Sequence, residues 1–64
     1  MIARTIVDDI RFAMIQKEMK KTKPPMKILE RDRRYSANGF VNLLTIEMEL
    51  RDQPRIIRII ESAN

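Results

Sequence analysis

SANGFVNLLTIEMELR, residues 36–51, decides the fold, because two periodicities compete in it and only one leaves a coherent buried face. On a helix, Phe40, Val41, Leu43, Leu44, Ile46, Met48 and Leu50 would spread over more than half the circumference, with Glu47 and Arg51 inside the apolar sector. On a strand, Leu44, Ile46, Met48 and Leu50 alternate with Thr45, Glu47, Glu49 and Arg51, giving one dry face and one wet face. The strand is preferred, although Leu, Met and Glu lean towards helix by propensity. Asn38-Gly39, just before it, is the strongest short hairpin signal, since both residues tolerate the positive φ of a type I′ turn. A β-hairpin around Asn38-Gly39 is therefore expected.

Working towards the N-terminus, the hairpin is preceded by the charge run Glu30-Arg31-Asp32-Arg33-Arg34 and a short apolar piece, Met26 to Leu29. Lys23-Pro24-Pro25 is the clearest boundary, because a residue before proline is driven out of the helical region and prolines supply no backbone donor. Before it, an amphipathic helix is expected from about Thr5 to Lys21. Ile6, Ile10, Ala13 and Met14 repeat at the helical period, Asp8 and Asp9 suit the positive end of the dipole, and Lys17, Lys20 and Lys21 suit the negative end. Phe12, Ile15 and Met19 form a second apolar stripe on the opposite flank, so this helix needs two partners.

Towards the C-terminus, Arg55-Ile56-Ile57-Arg58-Ile59-Ile60-Glu61 fits a short helix with Ile56, Ile57, Ile59 and Ile60 on one face. Asp52 can cap it, and Pro54 falls in the first turn, where proline is tolerated. The expected fold is α+β: an N-terminal helix, the hairpin and a C-terminal helix, with a helix on a three-stranded antiparallel sheet as the alternative.

The inventory of reactive residues argues against catalysis. The 64-residue chain has no His and no Cys, so the commonest general base, the soft nucleophile and the usual metal ligands are all missing. One glycine excludes a glycine-rich phosphate loop. Glu47 and Glu49 are best read as a solvated strand face, and Asp8-Asp9 as helix-dipole complementation. No enzyme activity, cofactor or metal is expected. A chain this short builds a core near the lower limit for independent stability, and with disulfides excluded, self-association into a homo-oligomer is the supplement that remains. Apolar runs are too short to span a bilayer, and Met1-Ile2-Ala3-Arg4 lacks a signal-like pattern, so a cytoplasmic location is expected.

Binding chemistry is easier to place. Residues 17–34 hold eight basic side chains against three acidic ones, so the chain's net charge of +4 arises wholly there. Lys17, Lys20, Lys21, Lys23, Lys27, Arg31, Arg33 and Arg34 are candidates for contacting nucleic acid or an acidic partner, with Tyr35 and Asn38 at the margin for stacking and base-edge contacts. Neither a ribbon-helix-helix nor a helix-turn-helix fits: the first would run a helix through Pro24-Pro25, and no pair of short helices flanks a glycine turn. Phe12, Ile15, Met19, Ile56 and Ile60 are candidates for a protein interface. The favoured expectation is a small regulatory protein, of inhibitor or adaptor type, that binds a partner protein through apolar surface and the basic segment. The alternative is a DNA- or RNA-binding protein, sequence-nonspecific or regulatory, that uses the basic stretch 17–34.

Overall fold

A computed structural model describes residues 1–62. Three strands and two helices follow in the order β1 (Ile2–Asp8), α1 (Asp9–Met19), β2 (Lys27–Ser36), β3 (Gly39–Glu47) and α2 (Gln53–Glu61), with a single 3-10 turn at Leu50–Asp52 before α2. The fold is α+β. Its sheet is antiparallel throughout, in the order β1-β3-β2, so the last strand is the central one.

The first strand replaces the expected opening turns of the N-terminal helix. Ile2 to Val7 alternates as well as it follows the helical period, and four of its six residues are β-branched, which favours a pleated surface. Asp8 marks the switch: its carboxylate accepts a hydrogen bond from the Arg11 amide at 2.8 Å and so caps α1. The helix ends before the proline pair. Thr22 Oγ1 donates to the Met19 carbonyl at 3.1 Å and accepts from the Met26 amide at 3.1 Å, which bridges the turn into β2.

Both helices lie on one face of the sheet. Val7 from β1, Leu44 and Ile46 from β3, Phe12 and Ile15 from α1, and Ile56 and Ile59 from α2 make the core, joined by Met26 and Met48. The expected dry face of the second hairpin strand is present at Leu44 and Ile46 and continues in the buried Met48 just past the end of β3, whereas Leu50, in the 3-10 turn, is exposed. Pro54 stands in the first turn of α2, as its sequence implies.

Two expectations change. The stripe through Ile6, Ile10 and Met14 is not the buried one. Ile6 is 63% exposed on the uncovered face of the sheet, and Ile10 is 69% exposed on α1. The other stripe takes its place in the core: Phe12, Ile15 and Ile56 are buried, and Met19 and Ile60 pack against them, so these five complete one chain's interior instead of offering a free apolar surface. The charge run Glu30 to Arg34 is the middle of β2. No helix among the described residues is long and apolar enough to cross a membrane.

Candidate nucleic-acid interface

The β2–β3 hairpin is longer than its neighbour. Pairing of β1 with β3 stops at Asp8 opposite Val41, while β2 and β3 continue through Tyr35–Phe40 and Ser36–Gly39. The tip therefore projects beyond the rest of the sheet. Its turn is Ala37-Asn38, with Gly39 at φ 107° as the one residue of positive φ, so Asn38 does not adopt the left-handed conformation that a type I′ turn centred on Asn38-Gly39 requires. Ser36 Oγ closes the turn by donating to the Gly39 carbonyl at 2.7 Å.

Each of the chain's three aromatic residues has a guanidinium or another ring against it, Tyr35 and Phe40 at this tip and Phe12 in the core. Tyr35 meets Phe40 edge-to-face with ring centroids 5.2 Å apart. The Arg33 guanidinium lies 3.6 Å from the centroid of Phe40, and that of Arg31 lies 4.0 Å from the centroid of Phe12. Strand alternation explains the row: Arg31, Arg33 and Tyr35 occupy one face of β2, the face that carries the helices. Tyr35 is 76% exposed and Phe40 42%, because α1 begins too far down the sheet to cover them.

A polar network fixes the arginines. Asn42, fully buried on β3, donates from Nδ2 to Asp9 Oδ1 at 2.9 Å and to the Val7 carbonyl at 3.3 Å, and its Oδ1 accepts from Arg31 Nε at 2.9 Å. Asp9 also receives Arg33, through Nη2 at 2.7 Å and Nε at 3.2 Å. The Arg33 bond, then that of Asn42, holds the Asp9 carboxyl down at about 2, and the bond to Asp9 in turn keeps Arg33 more firmly protonated. Arg34 points to the opposite face and pairs with Asp32 at 2.7 Å.

The fold divides the basic stretch in two. Arg31, Arg33 and Arg34 belong to the hairpin end, with Tyr35 and Asn38. Lys17, Lys20, Lys21, Lys23 and Lys27 gather around the other end of α1 and the start of β2, about 25 Å away along the strand at ~3.3 Å per residue. Lys21 stands 3.7 Å from Glu18, while Lys17, Lys20, Lys23 and Lys27 have no ion-pair partner among the described residues. Two arginines absent from the expected set join them: Arg51 donates to the Lys23 carbonyl, and Arg55 pairs with Glu18 at 2.7 Å, holding that carboxyl below its usual range. Lys21, Lys23, Arg51 and Arg55 thus ring a shallow pocket beside the buried Asp52.

Phe40, Asn42 and Asp9 were also outside the expected set. The expected turn at Asn38-Gly39 sets Phe40 opposite Ala37, and only the observed turn at Ala37-Asn38 brings it opposite Tyr35, whereas Asn42 betrays itself by standing on the apolar parity of β3. Asp9 carries no comparable signal. No protein-family model matches the chain, and neither a curated protein nor a solved structure matches it. Among the described residues no three His, Cys, Asp or Glu side chains come together as a metal site.

Proposed function

We propose that this protein is a binding module that takes single-stranded nucleic acid on the aromatic tip of its β2–β3 hairpin. The observation that carries the reading is the exposure of Tyr35 beside Phe40, whose ring is backed by the Arg33 guanidinium. A rigid aromatic face next to a guanidinium is a stacking platform for any base, and it needs no sequence-specific contact. Lys17, Lys20, Lys23 and Lys27, which have no ion-pair partner among the described residues, supply charge for the phosphates that follow.

Binding a partner protein is the second reading, and it draws on a different surface. Ile6 and Leu43 line a groove on the uncovered face of the sheet, flanked by Arg4 on one side and by Glu30, Asp32 and Arg34 on the other. An inhibitor or adaptor would dock that face on its target.

Fluorescence anisotropy with a labelled single strand of about twelve nucleotides separates the two. Nucleic-acid binding predicts affinity that falls steeply with salt and drops by ~5- to 150-fold in Tyr35→Ala, the equivalent of one lost stacked base, while Tyr35→Phe retains it. An absence of binding at low salt, or a Tyr35→Ala variant that binds as tightly as the parent, sinks the reading.

A further inference from the structure

The two edges of the sheet are defended unequally. The β2 edge carries six charged residues, Lys27 and Glu30 to Arg34, and a bulge between Ile28 and Glu30, all devices that discourage another strand from pairing. The β1 edge has neither. Its interior holds a single charge, Arg4, and its register against β3 is unbroken from Ile2 to Asp8.

The backbone phase of that edge follows from its first bonds. Met1 and Met48 exchange both hydrogen bonds, N to O at 2.6 Å and 2.9 Å, so Ala3, Thr5 and Val7 are bonded to β3 in turn. Ile2, Arg4 and Ile6 are left with their outward N–H and C=O groups facing no strand, and Asp8, whose carboxylate also takes the Arg11 side chain at 2.6 Å, ends the edge by capping α1. Ile6 is mostly exposed on the uncovered face, and on the other face Ile57 of α2 stands half-exposed over a groove shared with Ala3 and Thr5.

We propose that the β1 edge is the seam of a homodimer, in which two copies of β1 pair antiparallel about a two-fold axis at Ile6 and join their sheets into one of six strands. The chain's own sequence selects that occupant and that register. Centring on Ile6 exchanges its outward N–H and C=O with those of its twin and sets Arg4 opposite Asp8 of the second copy. Centring on Arg4 would oppose two like charges. Centring on Thr5 would set Arg4 against an isoleucine and Asp8 against Ile2. Only the Ile6 register opposes unlike charges and brings two exposed isoleucines together.

The test uses the full chain. Sedimentation equilibrium at about 1 mM, a concentration that would populate even a weak dimer, is expected to give twice the 7.6 kDa chain mass. Arg4→Glu, which sets like charges opposite each other, is expected to raise the dissociation constant at least ~10-fold with an unchanged circular dichroism spectrum. Since the chain has no cysteine, Ile6→Cys reports the register directly. Cα atoms about 5.5 Å apart across a hydrogen-bonded pair lie within the roughly 4.4–6.8 Å range of disulfides. Mild oxidation should therefore link Ile6→Cys into a covalent dimer much faster than Ile10→Cys, a control on the exposed face of α1. A monomer at about 1 mM overturns the proposal. So does a dimer in which the two cysteine variants cross-link equally, or one that Arg4→Glu leaves as tight as before.

Discussion

Asn42 and Asp9 are joined by a 2.9 Å hydrogen bond that ties the central strand to the first turn of α1. The bond lies at the crossing of two further contacts, since Asn42 holds Arg31 and Asp9 holds Arg33. The geometry of both arginines, and through Arg33 that of the Phe40 ring, therefore depends on one buried amide.

Replacing Asn42 by Leu keeps the branched shape of the side chain and removes the hydrogen bonds to Arg31, Asp9 and Val7, while Asp9 keeps Arg33. The Asp9 carboxylate and the Arg31 guanidinium each lose a partner, while the Val7 carbonyl keeps its ladder bond from the backbone N–H at position 42. A hydrogen bond to a charged group contributes about 1.5–3 kcal/mol. Urea denaturation should show a loss of that size, and the variant's affinity for a single strand should fall further than its stability implies, because Asp9, and Arg33 with it, loses its tie to the central strand. A variant as stable as the parent would mean that Asn42 is not the hub.

The same carboxylate sets an acid limit. In the folded protein the Asp9 carboxyl titrates at about 2, below its ordinary 3.8, because Arg33 and Asn42 favour the ionised form. A lowered carboxyl contributes stability that is complete above the unfolded value and is lost as pH falls through the folded one. Urea midpoints should therefore decline between about pH 4 and pH 2, and Asp9→Asn should flatten that decline. Glu18, lowered by Arg55, leaves part of the slope in place. A decline of equal steepness in Asp9→Asn would remove Asp9 from the account.

Legibility of the fold followed the strength of the local pattern. Leu44, Ile46 and Met48 alternate, and Glu47 and Arg51 spoil the competing helical face, while Pro54 announces the first turn of α2, whose N-cap residue Asp52 makes no side-chain cap bond, so both elements were readable. Residues 2–8 were not, because Ile6 and Ile10 satisfy a helical spacing while Ala3, Thr5 and Val7 satisfy an alternating one, and only pairing with β3 chooses between them. Tyr35 and the arginines of β2 were readable as candidates. Their grouping was not, because a run of basic residues along a strand is split between two faces and two ends, and that division depends on where α1 starts.

Phe12 and Ile15 separate a core from an interface. Both are buried within one chain, so Phe12→Ala should cost ~3–5 kcal/mol and Ile15→Ala ~2–5 kcal/mol in urea denaturation. Ile10→Ala and Met14→Ala, on the outward face of the same helix, should stay within about 0.5 kcal/mol of the parent. A reversed order would restore the stripe of Phe12 and Ile15 as a surface.

Gly39 carries a torsional demand and no steric one. Its φ of 107° lies where side-chain-bearing residues are strained, yet a Cβ built there meets nothing within 4 Å. Gly39→Ala should therefore lose about 1–2 kcal/mol through the backbone alone. Gly39→Asn should lose less, since asparagine enters positive φ more readily. The cost would reach the binding surface through the register, because Gly39 faces Ser36 and the next pair is Tyr35–Phe40. If the turn relaxes to relieve the strain, the two rings part, and single-strand affinity should fall in the order Gly, Asn, Ala. Equal stability for all three residues would show that the turn does not need positive φ, and the aromatic tip would then have to be positioned by the Arg33–Phe40 stack alone.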